Sequence, residues 1–252
     1  ATAGVRLLLN ANHLAHRMSL GLIPLWNAWL PKGAPPPPPR RNRKPARDKV
    51  VYFPSCINRT MGKSTDYGSL PALLGKTTSL LEKAGFEVIF PAGLENLCCG
   101  MAFSSKGFKR QAAIKSTELE QALMAATRQG EYPVYCDMSP CLLTMRETLD
   151  PRLKLYDPVG FITTFFPSRV TFTPVNRVVT VHSTCSNTKA GQKKSLETLA
   201  RKCAAMVVVP DEVNCCGWAG DRGFLQPGLN ASALRPLKMQ LPEVINEGYS
   251  TS

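Results

Sequence analysis

The chain has 252 residues, 44% of them hydrophobic and 19% charged, with a formal net charge of +13 at pH 7. That length supports one large or two modest folded units, each with a real core. No apolar run reaches the roughly 20 residues of a transmembrane helix, and no signal peptide is visible. No aromatic platform or reading helix accompanies the basic residues, which sets nucleic acid aside.

In chain order, residues 1–30 carry apolar clusters at Leu7-Leu8-Leu9 and from Leu20 to Ile23. They predict one or two helices, until Pro24-Leu25-Trp26 and Trp29-Leu30-Pro31 break the pattern. Such a piece makes no core alone and is expected to pack on a domain before it. Because it starts at Ala1 rather than Met, the chain is expected to be a fragment. Pro35 to Pro39 form a stiff polyproline spacer. It leads into Arg40, Arg41, Arg43, Lys44, Arg47 and Lys49, a solvated tether or a basic patch for an anionic membrane surface or acidic partner. Residues 1–48 are therefore a helical segment and linker.

From 49 to 175 the pattern is strand, helix, strand, helix, strand. Val50 to Phe53 is a strand-like run, and Leu70, Leu73, Leu74, Leu80, Leu81 and Ala84 fall on one helical face closed by Gly85. Phe86 to Phe90 is a short buried strand, and Lys109 to Gln129 has helix-forming composition. Pro133 to Cys136 is the third strand; residues 151–175, with an apolar patch from Phe161 to Phe166, connect the first unit to the second. From 176 to 252 the order recurs, with strand Val178 to Val181, a helix carrying Leu196, Leu199, Ala200 and Cys203 on one face, and strand Met206 to Val209. Helical crossovers imply parallel sheets, so the fold class is α/β with two tandem doubly wound, Rossmann-like repeats.

The cysteines follow the same duplication. The first copy reads Cys56-Ile57-Asn58-Arg59-Thr60-Met61-Gly62 and then Cys98-Cys99-Gly100; the second reads Cys185-Ser186-Asn187-Thr188-Lys189-Ala190-Gly191 and then Cys215-Cys216-Gly217. Pro91 or Pro210 precedes each pair, and Gly107-Phe108 or Gly223-Phe224 comes after it. Chance does not produce that agreement. Vicinal cysteines bridge each other only in a strained ring, so metal ligation or redox chemistry in a reducing compartment is the better use of these thiols. Cys56, Cys98-Cys99 and Cys141 each lie just past a strand, and the carboxyl ends of parallel strands share one rim, where ligands bind. Gly100 and Gly217 suit a tight turn or a close approach to an inorganic group. Soft thiolates select iron–sulfur clusters, zinc or Cu(I). Cys136 either ends a buried strand or adds a ligand. Helical spacing puts Cys203 in the core; His182, in the place of Phe53, is a packed histidine, and His13 and His16 carry no signal.

These residues resemble the cysteine-rich CCG domain found in the B subunit of heterodisulfide reductase, the iron–sulfur subunit of glycolate oxidase and lactate-utilisation proteins. The family pattern is Cys, Cys-Cys-Gly, then Cys-x-x-Cys, usually twice. Cys56, Cys98-Cys99-Gly100 and Cys141 match the first copy, with Met138 where the first Cys of Cys-x-x-Cys would stand. That departure argues against a five-thiolate noncubane cluster and leaves an ordinary four-thiolate one. Cys185 and Cys215-Cys216-Gly217 match the second copy. Cys141 lies 41 positions after Gly100, and the same step from Gly217 falls at 258, so the second repeat is expected to be truncated.

The stretches Phe53 to Arg59, Cys98 to Gly107 and Asp137 to Cys141, with the connector Ile23 to Asn27, resemble the carboxyl-terminal part of large bacterial flavin-linked D-lactate dehydrogenases. The resemblance implies one or two [4Fe–4S] clusters on Cys56, Cys98, Cys99, Cys141, Cys185, Cys215 and Cys216. It also implies FAD and ferredoxin-like domains upstream, quinone or cytochrome as acceptor, and a cytoplasmic place, with peripheral contact on the inner membrane face as a further expectation. A heterodisulfide reductase-like thiol–disulfide site and a structural zinc module are the competing readings.

Overall fold

The computed structural model describes residues 2–23, 48–61, 73–218, 220 and 222–250. The polyproline spacer, the basic residues 40–47, the stretch 24–31, Gly62 and Leu70 lie outside the described residues. The elements run α1 (Thr2–Met18), β1 (Asp48–Phe53), α2 (Cys56–Thr60), α3 (Leu73–Lys83), β2 (Phe86–Ile89), α4 (Met101–Ser104) and α5 (Lys109–Ala126). They continue β3 (Val134–Cys136), α6 (Ser139–Thr148), β4 (Leu155–Tyr156), α7 (Pro158–Phe165), β5 (Val175–His182), α8 (Cys185–Lys189), α9 (Lys193–Cys203) and β6 (Ala204–Val208). Last come α10 (Arg222–Leu225), α11 (Pro227–Ala233), α12 (Leu237–Gln240) and β7 (Glu247–Ser250). Among the described residues no helix is long and apolar enough to cross a membrane.

Two parallel sheets result, the first ordered β2-β1-β3-β4 and the second β6-β5-β7. Strands β2-β1-β3 and β6-β5-β7 share one winding, so the α/β duplication expected from the sequence is the fold. Alternation along β1 explains why helices cover both faces. Val51 and Phe53 join Leu119, Leu123, Val134 and Leu142 on one side, while Val50 and Tyr52 join Leu74, Leu81, Phe86 and Phe161 on the other. In the second unit Val179, Val181, Ala204 and Val207 pack beneath Leu196 and Ala200.

Four expectations need correction. On α3 the buried positions are Leu74, Thr77, Thr78 and Leu81, while Leu73 and Leu80 are exposed. The core stripe includes two threonines, and the Thr78 hydroxyl is satisfied by donating to the Leu74 carbonyl at 2.8 Å. Cys203 is exposed rather than core. It is the last residue of α9, and the chain enters β6 at once, so the face bearing Leu196 and Ala200 runs out before it. Residues 151–175 are more than a connector. They form β4 and α7, and Phe161 stacks in tilted and edge-on contacts with Phe86, Tyr135, Tyr156, Phe165 and Phe166. Lys49 belongs to β1 rather than to the tether, 3.6 Å from Glu87 on the neighbouring strand.

Candidate functional site

The first site is assembled at the carboxyl end of β1, β2 and β3. Cys56 opens α2 three residues after β1, capped by Ser55, whose hydroxyl accepts from Asn58 N–H at 3.4 Å. Cys98 and Cys99 sit on the loop after β2, and Cys141 lies in the first turn of α6 after β3. Asp137 ties two of these strand ends together. Its carboxylate accepts from Tyr52 Oη and from Ser55 N–H, each at 2.8 Å.

The four thiols meet as a chain of neighbours. Cys56 hydrogen-bonds Cys98, Cys98 also hydrogen-bonds Cys99, and Cys99 hydrogen-bonds Cys141. Hydrogen bonds from Cys56 and Cys99, with the Gly100 N–H at 3.4 Å, hold the Cys98 thiol far below its usual range. Its neighbours are pushed up, Cys56 by the Cys98 hydrogen bond and burial, and Cys99 by Cys141, Cys98 and burial. Of these three sulfurs Cys98 is the one whose thiolate is favoured, and a soft cation that bound here would displace the thiol protons.

Two backbone N–H groups already point at sulfur, Gly100 at Cys98 and Met101 at Cys99. The left-handed Gly100, at φ 84°, makes that possible. Arg59 adds a positive charge that favours the thiolate at both Cys56 and Cys98. Donors and a cation beside gathered sulfurs fit an anionic iron–sulfur cluster held by thiolates. Among the described residues no three His, Cys, Asp or Glu side chains form a group that could hold a single metal ion.

Cys136 does end a buried strand. It is fully buried at the end of β3, and its thiol donates to the Met138 carbonyl at 3.6 Å. Burial, then the nearby Cys141 and Asp137, pushes that thiol well up.

The second unit repeats the local geometry. Thr184 caps α8 by accepting from Asn187 N–H, as Ser55 does from Asn58. Gly217 N–H lies 3.4 Å from Cys215 Sγ, matching Gly100 and Cys98. A β-carbon on Gly100 would meet the carbonyl oxygen of Ala112, and one on Gly217 that of Leu229, twelve positions downstream in each copy. Yet Cys185 and Cys215 are exposed and Cys216 only half-buried. His182 stands where Phe53 stands, packed as expected, with a hydrogen bond to the Val213 backbone. Its Nε2 is buried without a partner, and burial lowers its pKa. Gly107 keeps a left-handed φ of 87°, whereas Gly223 lies inside α10, so the likeness of the two copies does not extend to these two glycines.

Arg59 and Asp137 carried no expected role. A repeated spacing marks the thiols, but nothing in a sequence marks an arginine whose partners are backbone carbonyls. No curated protein matches the chain closely enough to count as a relative. The family model for the cysteine-rich CCG domain matches residues 50–146 and again 179–245, one match in each of the two units. The chain belongs to the CCG cysteine-rich domain family, whose members are commonly iron–sulfur or redox modules.

Proposed function

We propose that Cys56, Cys98, Cys99 and Cys141 hold a [4Fe–4S] cluster, and that the chain is the electron-transfer module of a flavin-linked D-2-hydroxy acid dehydrogenase, D-lactate being the substrate of first choice. The observation that carries this reading is the meeting of four thiols from three strand ends, with N–H donors already aimed at two of them. When bound, the cluster supplies one-electron transfer. The chain's own residues ligate it, shield it behind Leu97 and Met101, and set its potential through N–H···S hydrogen bonds and the Arg59 charge. Cys185, Cys215 and Cys216 are the ligands of a second, open site. FAD and ferredoxin-like domains would deliver electrons, and a quinone or cytochrome at the inner membrane face would take them.

The test is anaerobic reconstitution of the chain with iron and sulfide, followed by iron and acid-labile sulfide analysis and low-temperature EPR after reduction. About four irons and four sulfides per chain, lost in Cys99→Ser, is the expected result. Zinc retained in place of iron, with no labile sulfide, would overturn it. The dehydrogenase assignment has its own test. D-lactate should reduce the cluster only when flavin and ferredoxin portions are added.

A further inference from the structure

Arg59 lies one turn along α2 from Cys56, on the side facing the Cys-Cys-Gly loop. Its Nε donates to the Pro54 carbonyl at 3.0 Å, and its two terminal nitrogens donate to the carbonyls of Leu94 and Leu97. The guanidinium carbon stands 6.0 Å from the centre of the Phe53 ring. One side chain thus fastens the end of β1, the start of α2 and the segment leading into Cys98. None of these three acceptors carries a formal charge, so the cation stays uncompensated by them and acts on the sulfurs beside it. A planar fork that grips two carbonyls is a property of arginine and not of lysine.

The second copy supplies the contrast. Thr188 occupies the place of Arg59, and its hydroxyl turns back to the Thr184 carbonyl at 3.1 Å. The loop before Cys215 is held instead through His182 and the Val213 backbone. There Cys185 and Cys215 are exposed and Cys216 is half-buried, whereas their counterparts Cys56 and Cys98 are half-buried and Cys99 is buried.

We propose that Arg59 is the positioning residue of the first thiol site: it locks the Cys98-Cys99 loop against the Cys56 helix through the Leu94 and Leu97 carbonyls and sets a fixed cation beside the sulfurs. The second half of this inference rests on the proposed cluster; the first half does not. Adding an electron to a thiolate-bound cluster makes it more negative, so a neighbouring cation favours the reduced form. The fork pre-assembles the site before any iron arrives. Thr188 can do neither, which is why the second site stands open.

The experiment compares wild type, Arg59→Lys and Arg59→Gln in the full chain, each first checked for wild-type far-UV circular dichroism. In the iron-free protein, alkylation of Cys99 by iodoacetamide is timed by peptide mass spectrometry. Both variants lose the fork, so Cys99 should label at least about tenfold faster in each. After reconstitution, the midpoint potential is measured by EPR-monitored titration. Arg59→Gln should fall by about a tenfold change in the reduction equilibrium, about 59 mV for one electron. Arg59→Lys, which keeps the charge, should stay near wild type. A purely structural role would move both variants equally. Iron uptake by wild type with unchanged labelling and potential in both variants overturns the Arg59 proposal and leaves the cluster standing. Faster labelling with no iron taken up by wild type overturns the cluster and the charge effect, and supports the lock.

Discussion

A β-carbon on Gly100 would sit 2.6 Å from the carbonyl oxygen of Ala112, closer than real atoms approach. Its φ of 84° adds a second obstacle for any other residue. The sequence marked this glycine as a tight turn or a close approach. The turn is there, and the neighbour that comes close is the backbone of α5 rather than an inorganic group. Gly107 separates the two effects, since it shares the left-handed φ, at 87°, but has nothing within 4 Å of its missing β-carbon. Gly107→Ala should therefore cost only the backbone term, about 1–2 kcal/mol. Gly100→Ala should cost clearly more, because the Cys98-Cys99 loop must also move off α5, and it should weaken iron retention. Urea unfolding of both variants measures the difference. Equal losses would show that the contact with Ala112 relaxes without consequence.

At the scale of elements, the sequence made the strands legible because parallel strands buried on both faces leave near-continuous apolar runs, as at Val50 to Phe53. The cysteines were legible for the same reason, since each comes just after such a run. The α7 helix was not. It is eight residues long, begins with Pro158 and lies among prolines and threonines, so it showed as an apolar patch without a period. What fixes its start is Asp157, whose Oδ1 accepts from Gly160 N–H at 2.7 Å. The other carboxylate oxygen is buried with no partner, and burial raises the pKa above the usual carboxylate value. The raised value sets the sign of the pH dependence. The folded state binds the proton more tightly, so this group's contribution is full below the unfolded pKa of about 3.9 and is lost as pH rises through the folded value. Asparagine keeps the cap and cannot ionise. The stability of Asp157→Asn relative to wild type should therefore climb from pH 3 upward and level off once wild-type Asp157 is charged. Denaturant midpoints taken across pH 3–7 give the curve. A constant offset would mean that the charged form is no worse accommodated than the neutral one.

The two units meet through non-equivalent elements, α6 of the first against α8 of the second and α7 against α9. By the order of elements α8 is the counterpart of α2, so the helix opened by Cys185 docks against the helix that carries Cys141. At their starts, Ser139 Oγ and Ser186 Oγ are buried 2.7 Å apart, and Thr184 Oγ1 lies 3.0 Å from Ser186. A polar contact buried between two apolar units fixes register more than it adds energy, because each hydroxyl is costly to leave unmatched. Its position, two residues from Cys141 and one from Cys185, links the geometry of one cysteine set to the other. Ser139→Ala and Ser186→Ala should each cost about 1–3 kcal/mol, since each removes a buried hydroxyl together with the hydrogen bonds it makes, worth roughly 0.5–1.5 kcal/mol apiece. The double variant should fall short of their sum by roughly 0.5–3 kcal/mol, the range for residues in direct contact. With Trp26 and Trp29 replaced by Phe, Trp218 is the sole tryptophan and reports on the second unit, so its fluorescence and the far-UV signal together show whether unfolding is shared. In that background the two probes should give one midpoint. In the single variants the Trp218 transition should move to lower denaturant ahead of the rest, because the smaller unit, with its four-residue buried cluster, has less of its own to hold it. Additive losses with coincident transitions would mean that the serine pair is incidental and that the remaining packing, such as α7 against α9, joins the repeats.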